Sequence, residues 1–573
     1  LEKSFLRLLA GSILLLSGVA FADLQSLSLP DTGWNVWLDK EAKWKDEPVY
    51  FPGEAPLSAI ASRPPTPGWG ALSKNGEAVV TLPTTVEQHF WGTDGLRPYK
   101  NEYFYEDRDK APRNGNYLGV SWWWHNIEVP RYFGGKTAIL HIRAAKQRAE
   151  VYVNRQLVGY QLIGETSFDC DVSKALRPGE TNTIAIRITN PGGRLDWGDW
   201  SSTSLGGKGF FGGHAFGGLD RGITLSAHEP VRITDAWVLN TPDPIMIFPH
   251  VRVESAPGQA LKGTVSLAVI DPATHAVVAV GKIPVAQGPS GSYTFSTKLT
   301  IPHAKLWSPS HPNLYTLKFS YDGEVAETRN VTFGCRWFGP EGVGSHALLR
   351  LNGQRMRVFS AISWGFWGIN GLWPTPALAE KEVRVAKSLG LNSLNFHRNI
   401  PRTEALDAAD RLGLLRYAEP GGGMTLFWNK GSDEDSFQHY MTEKILAMVR
   451  DHRSHPSLTM YVVQNELGED EYKRPIAEKI LRAIHAEDPS RAAVLKSGIP
   501  TKGEMWPLTT TPYTSIKGTA IQAGQTSIRW EPQIRGTTIT TRARPSTCIA
   551  TRTKKRLSTT AKWEGAAPPT TTP

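Results

Sequence analysis

The sequence predicts a multidomain β plus α/β protein: two all-β sandwiches, then the strand–helix alternation of the first part of a (β/α)8 TIM barrel. Three observations carry this. Residues 23–230 alternate apolar and polar positions between dense Gly, Pro and Asn turns, the period of half-buried strands. Residues 231–335 repeat the pattern over a shorter span. From about residue 336, strand-like runs alternate with helical ones, which implies a parallel sheet.

The N-terminus has the layout of a secretory signal peptide. Lys3 and Arg7 precede the apolar run Leu8 to Val19, and Ala20-Phe21-Ala22 offers an A-x-A cleavage site before Asp23. The run is short for a bilayer span, so an uncleaved anchor is the lesser alternative. This predicts a secreted or periplasmic protein with no membrane partner after cleavage. Leu1 in place of Met suggests an alternative start codon or an incomplete gene.

In the first sandwich, Ala138 to Ile142, Ala149 to Val153 and Thr183 to Ile188 are strand candidates. In the second, Val231-Arg232-Ile233 opens the pattern, and Leu306-Trp307-Ser308-Pro309 with Asn313-Leu314-Tyr315 lies near its end. The third region reads in order as strand 356–363, helix 376–389, strand 392–396, helix 403–412, strand 414–419, helix 433–450, strand 458–463, helix 476–485 and strand 492–495. The pattern stops at residue 506. Residues 506–573 hold 18 Thr, no Asp and no sustained apolar period, the composition of a disordered Thr/Pro-rich tail.

The 573 residues suit about three or four domains. The net charge of +10 is misleading about partners. The tail 506–573 carries ten Lys and Arg against Glu531 and Glu564, so +8 of the excess lies there. The rest is nearly neutral and offers no basic face for nucleic acid. Cys170, Cys335 and Cys548 are too few and too scattered for a disulfide framework or a zinc site. No Gly-rich phosphate loop, metal-ligand spacing or nucleophile elbow appears, so no cofactor or metal is expected. Twenty Trp fit sugar stacking or packing equally.

The most informative stretch is His455-Pro456-Ser457 followed by Leu458 to Val463 and Gln464-Asn465-Glu466. A buried strand ending in a carboxylate sits where parallel barrels keep their chemistry. A helix cap or surface acid is the plainer alternative. Together these residues resemble the acid/base motif of glycoside hydrolase family 2, the β-galactosidases, β-glucuronidases and β-mannosidases. The resemblance extends to Val80-Thr81-Leu82-Pro83 as an opening strand and Gly119 to Trp124 as an aromatic strand. Ala149 to Asn154 through Gly159 matches a hairpin in which Arg155 replaces the usual Gly, implying a different turn. Gly217 to Ile223 matches a closing strand, and Phe333-Gly334-Cys335-Arg336 the linker into the barrel.

By that resemblance the domains are a sugar-binding jelly roll (23–230), an immunoglobulin-like sandwich (231–335) and the N-terminal part of a TIM barrel (336–505). The chemistry implied is retaining hydrolysis of a β-linked oligosaccharide or polysaccharide by two carboxyl groups. Glu466 would be the acid/base, and Asn465 would bind the sugar 2-hydroxyl. His397 and Arg398 after the second barrel strand line the sugar pocket or serve the loop. Glu419 after the third binds a hydroxyl or orients Arg398. Trp364 and Trp367 stack on sugar or pack the barrel mouth. Trp506 has no assignment.

The nucleophile belongs on a later strand. If Thr509 to Thr514 is encoded ACG ACG ACA CCC TAT ACG after a T, starting one base earlier gives Tyr-Asp-Asp-Thr-Leu-Tyr. Over Cys548 to Pro573 the same shift can yield, with a suitable choice of codons, a strand ending Tyr-Gly-Glu, and both segments resemble the family. A one-base frameshift near Met505 to Leu508 is therefore the expected origin of the tail, leaving this polypeptide without a nucleophile and inactive. Glu564, in the unshifted frame, is read as a solvated tail acid. The alternative is a non-catalytic carbohydrate-binding protein built on the two sandwiches. Which sugar is recognised, and the oligomeric state, stay open.

Overall fold

The computed structural model describes residues 25–74, 76–90, 117–191, 202–211, 216–322, 326–341, 348–363, 373–421, 434–465 and 475–497. All belong to one unit, Leu1–Arg529. The segment read as a signal peptide and the tail 506–573, with the second unit Trp530–Pro573, lie outside the described residues.

In the first region a six-stranded antiparallel sheet runs in the order Ala78–Thr81, Thr32–Asp39, Gly119–Glu128, Thr181–Asn190, Arg148–Val153 and Gln156–Gln161. A four-stranded sheet runs Gln25–Ser28, Thr224–His228, Thr137–Ile142 and Phe168–Asp171. The two share one core, with Val36, Trp123, Val151 and Ile186 meeting Leu140, Ile142 and Leu225. The other face of the large sheet is also covered, because Trp122, Trp124 and Tyr152 pack with Leu72 and Trp69. Trp34, Trp122, Trp123 and Trp124 are all buried, so this run is core and offers no stacking surface. Val80 does not open the domain. It sits in an edge strand paired with Thr32–Asp39.

The hairpin at Asn154-Arg155 corrects a second expectation. Val153 pairs directly with Gln156 across a two-residue loop. Both loop residues have positive φ, 49° and 74°, as a type I′ turn demands. Arg155 adopts the conformation that glycine would take, and the turn is retained.

The second region packs Val231–Asn240, Met246–Ser255 and Ser292–Ser296 against a four-stranded sheet of Val277–Gly288, Leu261–Ile270, Tyr315–Asp322 and Ala326–Phe333. Inward positions alternate along Met246–Ser255 and Tyr315–Asp322, and Val251 and Val253 share a core with Val265, Leu267 and Leu317. The linker that follows is tied to the third region. Arg336, fully buried, donates from Nε to the Pro456 carbonyl at 2.7 Å and from Nη2 to that of Leu458 at 2.6 Å.

The third region, after a small antiparallel sheet over residues 338–355, is a parallel sheet in sequential order. Its strands are β1 (Ser360–Ser363), β2 (Ser393–Phe396), β3 (Leu415–Ala418), β4 (Leu458–Asn465) and β5 (Ala492–Ser497). The helices between them are α1 (Pro376–Ser388), α2 (Thr403–Leu412), α3 (Glu434–His452) and α4 (Pro475–Glu487). β1 is shorter than expected, starting at Ser360 instead of Met356, whereas β4 runs two residues further, to Asn465. Helix α1 starts where Pro376 takes the first position and the Thr375 hydroxyl accepts from the Leu378 amide at 3.2 Å. Helix α2 stops at Gly413, whose φ of 75° is the left-handed cap. One core joins strands and helices through Phe396, Tyr461, Val463, Tyr440, Ile445 and Ile484. Phe51, Leu162 and Ile163 of the first sandwich belong to that same core.

Candidate active site

Parallel strands deliver their following residues to one edge of a sheet, and here that edge collects polar groups. Phe396 of β2 pairs with Ala418 of β3, which brings His397 and Arg398 beside Glu419. The Arg398 amide donates to Glu419 Oε2 at 2.7 Å, with Arg398 itself at a φ of 54°. His397 Nδ1 lies 3.8 Å from the same oxygen and 3.4 Å from Asn395 Nδ2. Asn395 Oδ1 accepts from the Ser363 amide at 3.2 Å, coupling β1 to β2. His397, Arg398 and Glu419 are all buried.

Burial pulls the His397 imidazole down to about 4, and the neighbouring Arg398 charge adds to the fall. His397 is therefore neutral at physiological pH, and its approach to Glu419 is a polar contact, not an ion pair. A neutral imidazole can both donate to and accept from a hydroxyl.

Asn465 ends β4 and is buried. Ala418 pairs with Tyr461, so Asn465 stands three residues beyond the level of Glu419, about 10 Å at ordinary strand rise. The structure brings His397, Arg398 and Glu419 together and places Asn465 on the next strand, further out along the same edge. Glu466, Trp364, Trp367 and Trp506 lie outside the described residues.

His455-Pro456-Ser457 precedes the opposite end of β4, whose first residue, Leu458, stands about 23 Å from Asn465 at strand rise. His455 Nδ1 bonds Asp410 Oδ2 at 2.6 Å, and the Ser457 amide donates to Asp410 Oδ1 at 2.9 Å. Arg491 donates to the carbonyls of His455 and Leu458, both at 2.7 Å. Trp307 Nε1 donates to the Asp410 carbonyl at 2.9 Å. The motif that marks the strand in sequence is thus its foundation, not its chemistry. With Asp407 these groups form a cluster whose oxygens and ring nitrogens lie within 4.8 Å of one another. Sequence spacing did not reveal that cluster, because His455 and Asp410 lie far apart in the chain. Both Asp410 oxygens already accept hydrogen bonds.

Two features escaped sequence reasoning. Gln464 is fully buried, and neither its Oε1 nor its Nε2 finds a partner among the described residues. Glu165, in a turn of the first sandwich, reaches Arg402 beyond β2. Neither residue type carries a motif, so only the folded geometry identifies them.

Comparison with known proteins adds a family. The model for glycosyl hydrolases family 2 matches residues 233–336. The β-galactosidase BoGH2A of Bacteroides ovatus is 23% identical over 374 residues, 61% of this chain and 40% of that protein. A β-glucuronidase of Paenibacillus borealis is 26% identical over 423 residues, 68% of this chain and 65% of that one. The chain therefore spans less than two thirds of either relative. A glycosyl hydrolase family 2 member from Bacteroides cellulosilyticus shares the fold with a TM-score of 0.60 at 17% identity, covering 84% of this chain and 57% of that one. Bacteroides uniformis β-glucuronidase 2, covalently bound to cyclophellitol-6-carboxylate aziridine, gives 0.59 at 18% identity, covering 82% and 52%.

Proposed function

We propose that this chain, a relative of the β-glycosidases of glycosyl hydrolases family 2, carries the acid/base half of a retaining β-glycosidase site. The observation that carries the reading is the polar edge of the parallel sheet, where Asn465 ends β4 next in sequence to Glu466 while His397, Arg398 and Glu419 converge from β2 and β3. In this reading the three sheet regions are a sugar-binding jelly roll, an immunoglobulin-like sandwich and the first five strands of a (β/α)8 barrel. The N-terminal leader directs the protein out of the cytoplasm.

Glu466 protonates the leaving oxygen and later deprotonates the attacking water, while a second carboxylate attacks the anomeric carbon. Asn465 holds the 2-hydroxyl, a bond that strengthens as the oxocarbenium-like state forms. Glu419 accepts from sugar hydroxyls and, through the Arg398 amide, sets the loop that bears His397. The covalent complex of the B. uniformis relative supports a mechanism with a nucleophile. A β-glucuronide or β-galactoside is the substrate class that the relatives' names suggest.

The nucleophile strand is assigned to the shifted frame of residues 506–573, so the polypeptide 1–573 alone is inactive. Sequencing the DNA across codons 495–573 and assaying chromogenic β-glucuronides and β-galactosides tests both statements. One restored base is expected to give Tyr-Asp-Asp and Tyr-Gly-Glu and an active product, which Glu466→Gln slows by roughly 10²–10⁴-fold. Hydrolysis by the 1–573 polypeptide would refute its inactivity. A frame-corrected product that binds glycosides without cleaving them would replace catalysis with carbohydrate binding.

A further inference from the structure

The loop that follows β2, residues 397–402, is held from two sides. Inside the sheet, Glu419 accepts the Arg398 amide. On the outside the anchor comes from a different region of the fold. Arg402, buried at the start of α2, donates from Nη2 both to Asn399 Oδ1 at 3.2 Å and to Glu165 Oε1 at 3.0 Å. Glu165 lies in the turn between Gln156–Gln161 and Phe168–Asp171 of the first sandwich, itself buried and at a φ of 71°.

The setting of Glu165 is unusual for a simple bridge. Lys444 of α3 approaches its Oε2 at 3.2 Å and Lys146 its Oε1 at 3.5 Å. One carboxylate thus meets three buried cations drawn from the sandwich, the β2–α2 loop and helix α3. Its surroundings are rigid. Gln147 Nε2 donates to Tyr440 Oη at 2.6 Å, and Ser167 Oγ to Asp451 Oδ1 at 2.6 Å. Tyr440, Lys444 and Asp451 recur at helical spacing along one face of α3, so the sandwich turn is fastened above and below Glu165.

We infer that Glu165 is a positioning residue of the candidate active site, through which the first sandwich sets the loop bearing His397 and Arg398. The path is Glu165 to Arg402, Arg402 to Asn399, and then one peptide unit to Arg398. Arg402 serves both acceptors from one terminal nitrogen, Nη2, which the rigid guanidinium plane holds in place, whereas a lysine ammonium sits on a shorter, flexible stem. The excess of positive charge explains why a carboxylate is needed. Burial, opposed by Glu165 and reinforced by Lys444 and Arg402, holds the Lys146 ammonium down to about 8. The inference rests on the glycosidase reading only for what the loop binds; the positioning itself is independent of it.

The test uses the full chain and needs no substrate. Hydrogen exchange at the Arg398 amide and titration of the His397 ring, assigned with His397→Gln, are compared in wild type, Arg402→Lys and Glu165→Gln. Arg402→Lys keeps the buried charge and is the variant of record if Glu165→Gln fails to fold. The expected result is exchange about tenfold faster or more at Arg398 with the amides of β2 unchanged. The His397 pKa should also rise toward its ordinary value as water enters. Unchanged exchange and titration in Arg402→Lys would overturn the inference, because a clamp that merely joins the regions through α3 would leave His397 untouched. Isothermal titration with 4-nitrophenyl β-glucuronide and β-galactoside separates the two readings. A frame-corrected product that binds neither argues against the glycosidase reading, while the exchange result on this chain still decides the role of Glu165.

Discussion

Gln464 buries an amide with no partner among the described residues, one residue before Asn465. Leaving such a group unsatisfied costs about 1–3 kcal/mol, and departures of this kind gather at sites that bind something. Gln464→Leu is therefore expected to stabilise the protein by about 1 kcal/mol in urea unfolding while weakening glycoside binding. A destabilised variant would show that the amide is already engaged. Arg155 presents the opposite case, strain without evident use. Its left-handed φ costs about 1–2 kcal/mol, against about 0.5–1 kcal/mol for the freedom glycine adds to the unfolded chain. Arg155→Gly should raise stability by about 0.5–1 kcal/mol, read as a shift of the urea midpoint at constant slope. Asn465 was legible because the residues around it form a local pattern. Glu165 was not, since a single acid in a turn looks the same whether it faces solvent or three cations.

Strand β4 shows what a motif can and cannot say about an element. Its apolar run made the strand legible, with Asn465 as its last residue. The role of His455 was illegible because its partner, Asp410, is supplied by α2. Burial pulls the His455 imidazole down, but the Asp410 charge and hydrogen bond outweigh it, and the net shift is upward. A raised histidine contributes stability in full below its unfolded value, about 6.5, and loses it as pH climbs through the folded value. The stability difference between wild type and His455→Gln should therefore shrink from pH 6 to pH 9 in chemical denaturation. A difference that grows with pH would contradict the ion pair with Asp410. The boundaries of β1 were misread for a related reason. Residues 356–359 are apolar enough to look like strand, yet Met356 and Val358 pack instead with Trp307 and Phe338 near the linker.

At the scale of the whole molecule, the two sandwiches each enclose a core of their own, although Phe51, Leu162 and Ile163 of the first pack into the core of the parallel sheet. Residues 25–335 are expected to fold as a soluble pair with β-rich circular dichroism and a cooperative melt. Their separation should leave one signature. Trp237 stacks on His250 at 5.0 Å and carries the Arg453 guanidinium at 3.5 Å over its ring. Without α3 and the turn after it, Trp237 gains solvent, so the fragment's emission should shift to the red relative to a Trp237→Phe control. No shift would mean that the sandwiches close over that ring alone. The order of strands and helices was legible in the third region because periodicity is local. How the regions lean on one another was not, because Arg336, Arg402 and Arg453 make their decisive contacts with residues distant in sequence.

The linker has a mechanical meaning as well. Arg336 grips the carbonyls of Pro456 and Leu458 on either side of Ser457, so it fastens the second sandwich to the root of β4 and not to β1, the strand that follows it in the chain. A force pulling the sandwiches away from the sheet would load β4 at its root before it unravelled the intervening small sheet. The residues at the far tip of that strand would register the strain of a tug applied some 23 Å away.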